Sequence, residues 1–377
     1  MTGETTIVGA GPAGLACAIA LARAGRSVVV REWHDRVGAR FHNDYQGLEN
    51  WSRDEDVLHE LKQAGIDTDF EKVAVSAGTA FDAKGRRYGL RSEQPLYYLV
   101  RRGSGQGTLD RALLEQAIAL GVEVRFDDRV REAREADILA TGPRTADAIA
   151  AGYVFETDMA EGSWLALDDD LAPSGYAYLL VYGGRGTVAS CMFRGFREEA
   201  QHVARTVKFF RDRAGLVMSN PKTFGGYGNF RFPYTAQQGG RPVIGEQGGF
   251  QDPLAGFGML YALRSGILAA QSVITGARYS DLWQQSLGPL MKAGAVNRYL
   301  FNLGGDALRC LALSRLEHRD ARIGLQRAYR PSLISALLFP FIKTRIGVSL
   351  EDPSCSHENC DCVWCRSVAQ GNAPTCC

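Results

Sequence analysis

The segment Gly9-Ala10-Gly11-Pro12-Ala13-Gly14 constrains this chain more than any other stretch. A β-rich run, Thr5 to Val8, leads into it, and the alanine-rich run Leu15 to Ala24 reads as the helix that follows. Gly25 ends that helix, and Ser27 to Val30 reads as a second buried strand closed by Arg31 and Glu32. Strand, glycine turn, helix and strand in this order is the setting that a dinucleotide-binding fingerprint requires. Gly9 permits the tight turn, Gly11 lets the backbone approach a pyrophosphate, and Gly14 lets the helix pack closely on the strand. The pyrophosphate then sits at the helix N-terminus, by Pro12 and Ala13, where N–H groups and the helix dipole favour negative charge. Glu32 follows Gly14 by 18 residues, at the end of the second strand. A carboxylate there accepts ribose hydroxyls and would repel a 2′-phosphate, so the site suits FAD or NAD and disfavours NADP.

The chain has 377 residues. Single cores stop growing near roughly 250–300 residues, so two domains are expected. With 43 basic against 42 acidic side chains the net charge is +1. That balance gives no electrostatic reason for nucleic acid or an anionic membrane to be the main partner. No run reaches the ~20 apolar residues of a membrane span, and the N-terminus lacks the basic start of a signal peptide. A cytoplasmic protein with at most peripheral membrane contact is expected. Of nine cysteines, Cys17, Cys191 and Cys310 are scattered and the rest crowd into the last 23 residues. A disulfide-stapled fold would spread them along the chain.

Two further segments decide between FAD and NAD. Tyr98 to Phe126, "YLVRRGSGQGTLDRALLEQAIALGVEVRF", resembles the arginine-then-helix segment of the glutathione-reductase and hydroxylase superfamily. Arg241 to Val273, "RPVIGEQGGFQDPLAGFGMLYALRSGILAAQSV", resembles the closing FAD motif of geranylgeranyl-reductase-like oxidoreductases. Glu135 to Arg144 resembles the Ala-Thr-Gly turn of flavin oxidoreductases, and Arg36 to Trp51 looks like the loop after the second strand in the same group. The resemblance covers about three quarters of the chain. Arg101 or Arg102, Leu109 and Asp110 would be the counterparts of the superfamily's arginine and helix positions, and the resemblance implies FAD contacts from Arg40, Arg102, Gly142, Gly245, Glu246 and Asp252. It also implies that N–H groups of Gly256, Phe257, Gly258 and Met259 face the flavin carbonyl, where negative charge builds on reduction. A rival reading takes Gly103, Gly105 and Gly107 as a second nucleotide turn, for NADH.

There are departures from the family pattern. Glu246 stands where the family usually has Asp, and Phe257 where many members have Glu. The Asp-Gly motif of hydroxylases is replaced by Ala140-Thr141-Gly142, which weakens a monooxygenase reading. The Trp-x-Trp-x-Ile-Pro motif of flavin halogenases is absent.

The substrate side reads as antiparallel sheet over Lys72 to Arg91 and Ser163 to Phe196, with Phe224 to Phe232 adding a strand. Candidate aromatic lining residues are Tyr97, Tyr98, Tyr176, Tyr178, Tyr227, Phe230, Phe232 and Tyr234, some of them core. No His, Asp or Glu pair at convincing spacing announces a general acid, so no catalytic residue is assigned. The apolar segment Pro331 to Ile342 reads as a short helix packed on the core, with lipid access as its alternative. The tail, "SCSHENCDCVWCR", offers Cys355, Cys360, Cys362 and Cys365 as a tetrahedral thiolate set for zinc. An iron–sulfur cluster, thiol exchange and an idle tail are the alternatives. The tail reads as separable from the flavin site.

The expected fold is α/β: a FAD-binding, Rossmann-like three-layer domain with an inserted antiparallel-sheet substrate domain and a helical C-terminal region. The FAD domain would be discontinuous (1–71, 92–160 and 236–280), with the sheet in 72–91 and 161–235, the helices in 281–350 and the cysteine-rich tail in 351–377. The expected activity is FAD-dependent hydride transfer to or from an apolar, isoprenoid or lipid, substrate, with NAD(P)H or a protein as electron donor. A monooxygenase and a flavin electron-transfer protein with a metal or thiol tail are the alternatives.

Overall fold

A computed structural model describes residues 3–230, 232–346 and 360–370. The glycine segment forms the unit its sequence demands: β1 (Thr5–Val8), α1 (Pro12–Arg23) and β2 (Val28–Arg31). Both strands are β-branched runs buried on two faces, which suits a parallel sheet covered on each side. Pro12 opens α1 at a position where its missing N–H costs nothing, and Gly25, at φ +75°, follows its C-terminus.

Next come β3 (Tyr45–Glu49), α2 (Val57–Gln63), β4 (Lys72–Val75), β5 (Ala77–Asp82), β6 (Arg87–Arg91) and β7 (Tyr97–Arg101). Then follow α3 (Leu109–Ala119), β8 (Glu123–Arg125), β9 (Ile138–Leu139), β10 (Ala148–Glu156), β11 (Gly162–Leu167), β12 (Tyr176–Tyr182) and β13 (Arg185–Met192). The remaining elements used below are α4 (Glu199–Ala214), β14 (Ser219–Gly228), α5 (Met259–Thr275), α6 (Tyr279–Ser286), α7 (Gly288–Glu317), α8 (Ala321–Tyr329), α9 (Leu333–Ile346) and α10 (Val363–Ala369).

The dinucleotide sheet is parallel, in the order β8-β2-β1-β9. α1 packs on it between α3 and α5. Gly266 of α5 has no room for a side chain, because a Cβ there would lie 2.1 Å from the Ala13 carbonyl oxygen of α1. A second sheet has seven strands in the order β14-β10-β13-β12-β11-β5-β6, antiparallel except for β11 with β5. A third, three-stranded sheet pairs β3 and β4 with β7.

The seven-stranded sheet takes β10, although the sequence places residues 148–156 in the dinucleotide domain. Its apolar run reads like a buried parallel strand, and periodicity alone does not separate the two. β4 likewise leaves the hairpin for the three-stranded sheet.

The C-terminal region is helical. α7 breaks at Gly305, which adopts φ 50° and ψ −148° inside the helix. α9 is not the core helix expected from its composition. Phe339 and Ile342 are buried, but Leu333, Leu337 and Phe341 are 84%, 70% and 76% exposed. No described helix is long and apolar enough to cross a membrane.

Candidate functional site

The fingerprint glycines divide their work as the sequence implies. Gly9 turns at φ +104°, and a Cβ there would lie 2.2 Å from the Ala140 carbonyl oxygen. A Cβ on Gly14 would meet the Gly9 oxygen at 2.0 Å, so this residue fits the helix to the turn. Around Gly11 nothing lies within 4 Å of where a Cβ would be; that side of the loop faces a cavity of about 1390 Å³. Glu32 sits beside it. One carboxylate oxygen accepts the Ala10 N–H at 2.7 Å and the other the His34 N–H at 2.9 Å. The acid therefore holds the turn as well as facing the cavity.

Arg40 and Glu246 meet at 3.6 Å on the cavity wall. Arg40 also donates to the Tyr227 carbonyl at 2.9 Å and lies 4.5 Å from the centre of the Tyr227 ring. Burial pushes the Glu246 carboxyl above its ordinary range, with Arg40 opposing. The Asn229 N–H binds one Glu246 oxygen at 2.9 Å.

Of the two arginines left open by the sequence, Arg102 reaches the cavity. It forms a fork-like pair with Asp110, both bonds at 2.8 Å, on side chains almost wholly buried. Arg101 points elsewhere, to Glu71 and the Gln106 carbonyl. The glycine run after them is no second nucleotide turn. Thr108 caps α3 and Asp110 fills its first turn, while Gly103 and Gly105 pack against Asn43. None of Gly103, Gly105 and Gly107 lines the cavity.

The closing loop meets the fingerprint directly. Gly245, at φ +62°, would place a Cβ 2.8 Å from that of Ala13. Gly142, Gly245, Gly256, Phe257, Gly258 and Met259 all border the cavity. Asp252 does not. It is buried behind the loop, where it accepts N–H bonds from Leu254 and Ala255 and the Tyr329 hydroxyl at 2.7 Å. Its role here is to shape the loop. The backbone around it also takes up the Gly256 N–H, which donates to the Asp252 carbonyl, so Gly258 and Met259 at the start of α5 are the amides best placed to meet a ligand.

Phe257 occupies the side-chain space of Gly47, its ring 2.3 Å from a Cβ there, and meets Trp51 edge-on at 4.8 Å. Gln46, Trp51 and Gln251 border the cavity as well, and the sequence reading did not single them out. Gln46 lies within β3 and Trp51 and Gln251 outside any helix or strand, and nothing in their local spacing separates a cavity-facing residue from a core or surface one.

The other half of the cavity belongs to the seven-stranded sheet. Tyr176 and Tyr178 stand on one face of β12 and are joined by Trp164, Leu165, Leu167, Cys191, Tyr227 and Phe230. Tyr97 also lines it, whereas Tyr98 bonds Asp56, Phe232 packs on Trp283 and Phe339, and Tyr234 is exposed. Tyr176 donates to the Ala255 carbonyl at 2.7 Å, tying the sheet to the closing loop. Burial raises the Tyr176 and Tyr178 phenols well above their usual range and the Cys191 thiol to about 11, so all three stay protonated. The cavity exceeds the usual ~300–1,000 Å³ of a ligand pocket, which leaves room for a dinucleotide and a second molecule.

Residues 360–370 of the tail are docked on the sheet. Cys362, Val363 and Trp364 are buried in the core beneath β10 and β14. The Val363 N–H donates to Glu199 at 2.7 Å, and Arg366 pairs with the same carboxylate at 2.8 Å. The ligand atoms of Cys360, Cys362 and Cys365 all lie within 4.8 Å of one another. Cys355 lies outside the described residues.

Comparison with known proteins agrees with this architecture. Residues 7–57 match the family model of the NAD(P)-binding Rossmann-like domain. No curated protein matches the sequence. Among solved structures, a geranylgeranyl bacteriochlorophyll reductase-like protein from Thermoplasma acidophilum superposes with a TM-score of 0.66 at 16% identity, over 92% of this chain and 98% of that one. The flavin-dependent brominase Bmp2 gives 0.63 at 14% identity, over 91% and 99%. The p-nitrophenol 4-monooxygenase of Pseudomonas putida gives 0.60 at 16%, over 91% and 98%. The chain therefore has the flavoenzyme fold, with its Rossmann-like sheet, separate antiparallel sheets and C-terminal helices.

Proposed function

We propose that this protein is a cytoplasmic FAD-dependent oxidoreductase that acts on an apolar, isoprenoid or lipid, substrate. One observation supports the reading most: Gly11, Glu32, Arg102 and the Gly256 to Met259 loop border one cavity, whose remainder is walled by the aromatic face of a sheet. The residues fit the cofactor, because the space beside Gly11 is open and a side chain there would fill it. Glu32 would take the ribose hydroxyls, the N-terminus of α1 the pyrophosphate, and the start of α5 the flavin's carbonyl edge. Bound FAD would supply hydride transfer at its N5 atom. The chain's own part is to exclude water with Trp164, Leu165 and Leu167 and to hold protons on Tyr176 and Tyr178 at the sheet face. NAD(P)H or a protein is the proposed donor of electrons.

The protein is expected to be yellow, with FAD released on acid precipitation. Anaerobic addition of NADH or NADPH, followed by air, separates a reductase from a monooxygenase, and mass spectrometry of co-purified small molecules tests the substrate class. Release of FMN, or of no flavin, overturns the reading.

The thiols of Cys360, Cys362 and Cys365 are proposed to hold zinc, with Cys355 as the fourth ligand. Their mutual proximity supports this. Elemental analysis of protein purified without a metal-binding tag is expected to give about one zinc per chain. Stoichiometric iron with acid-labile sulfide would instead make the tail an electron-transfer cluster.

A further inference from the structure

α9 carries an apolar stripe that nothing in the described chain covers. Leu333, Leu337 and Phe341 fall at i, i+4 and i+8, and Ile334 and Leu338 flank them; all five are exposed. The opposite side, through Phe339 and Ile342, is buried against Ala295, Val296 and Phe230. The helix is thus anchored by one face and offers the other. At 14 residues it spans about 21 Å, too short to cross a bilayer and long enough to lie along its surface.

Charge selects the occupant. From residue 321 to residue 350 the sequence has Arg322, Arg327, Arg330, Lys343 and Arg345 and no Asp or Glu. Arg327 and Lys343 are exposed and bracket the stripe at its two ends, while Arg330, also exposed, pairs with Asp54 at 3.7 Å. Apolar residues flanked by cations, with no acid between them, match the boundary of an anionic bilayer, where acyl chains lie below negative headgroups. A second copy of the chain fits less well. A two-fold contact would set each α9 against its twin and bring like charges together, with no carboxylate in the segment to answer them. Arg327 also lines the large cavity, with Arg315 and Arg319.

We propose that α9 docks the protein onto anionic lipid surfaces, lying in the interface with Leu333, Leu337 and Phe341 among the acyl chains. The docking is independent of the reaction assigned to the cavity. The test is flotation of the full-length protein with vesicles of phosphatidylcholine, with and without about one-third phosphatidylglycerol. Wild type is expected to float with the anionic vesicles, at least ~10-fold more tightly than with neutral ones, and to be released by salt. The double substitution Leu337→Glu with Phe341→Glu should cut binding by ~10-fold or more with its melting temperature unchanged. Should that variant fail to fold, reversal of two exposed charges, Arg327→Glu with Lys343→Glu, should lower anionic binding by a similar factor. A folded wild type that leaves both vesicle types alone overturns the proposal. So does a wild-type dimer that Leu337→Glu with Phe341→Glu makes monomeric without any vesicle binding, which would assign the stripe to a second copy.

Discussion

The indole of Trp364 meets the ring of Tyr227 edge-on, with centroids 4.7 Å apart. Tyr227 in turn supports the Arg40 guanidinium on its other contact, at 4.5 Å, and Arg40 lines the cavity. The cysteine tail therefore touches the wall of the candidate flavin site, although its polar sequence reads as a detachable appendage. Trp364→Ala is expected to undock α10, raise protease cleavage around 360–370 and loosen the seat of Tyr227. Cation–π contacts contribute about 0.5–2 kcal/mol, so FAD affinity should fall ~2–30-fold. Unchanged affinity together with faster tail cleavage would mean that the tail and the site are separable after all.

The glycines of the fingerprint make a sharper test because two of them should fail differently. Gly14→Val places a Cβ 2.0 Å from a backbone oxygen and should prevent stable folding. Gly11→Val meets no protein atom and has an ordinary φ of −76°, so it should fold. Its side chain occupies the path of the pyrophosphate, so the protein should be colourless. Circular dichroism and the visible spectrum together separate the two outcomes. A folded, yellow Gly11→Val protein would remove the fingerprint from the cofactor site.

Glu32→Ala removes the acceptor of the Ala10 and His34 N–H groups and, on the proposed binding of FAD, of the ribose hydroxyls. Loss of a charge-assisted hydrogen bond costs about 1.5–3 kcal/mol, so FAD should bind ~10–150-fold more weakly. Glu32→Gln keeps the acceptor without the charge and should lie between. Fluorescence titration of the apoprotein with FAD measures both, and equal affinity in all three proteins would place the ribose elsewhere.

Much of this site was legible because its parts are local. Gly9 to Glu32 is one supersecondary unit whose turn, helix and acid stand at fixed spacing, and the structure builds it as read. Strand alternation alone does not say which of Arg101 and Arg102 faces the cavity; in the structure Arg102 lines it and pairs with Asp110, a partner eight residues on. Asp252 is expected at the cofactor but lies behind the loop. Its carboxylate answers Tyr329, 77 residues away, and no local pattern encodes that partner. α9 misled through composition: an apolar segment without acids reads as core, and only the packing shows that one face alone is covered. The tail erred the opposite way, because Trp364 and Val363 are two apolar residues among polar neighbours and their pocket is made by distant strands.

Glu49 yields a pH prediction with a definite sign. It is 1% exposed at the end of β3, and one of its oxygens has no hydrogen-bond partner. Burial raises its carboxyl from 4.5 to about 7, with Arg264 opposing only in part. Below pH 4.5 the group is protonated in the folded and unfolded chain alike, and it exacts no penalty. Between 4.5 and about 7 the unfolded chain ionises while the folded one holds its proton, so stability falls as pH rises. Above about 7 the loss is complete, and that displacement corresponds to about 3 kcal/mol. Glu49→Gln keeps the shape and removes the titration. The variant should therefore be more stable than wild type at pH 8, by ~2–3 kcal/mol, and no more stable at pH 4. Urea unfolding of both proteins across this range reads the difference, in which the other carboxylates cancel. A gap that stays constant with pH, or widens toward acid, would show that Glu49 is already ionised in the folded protein.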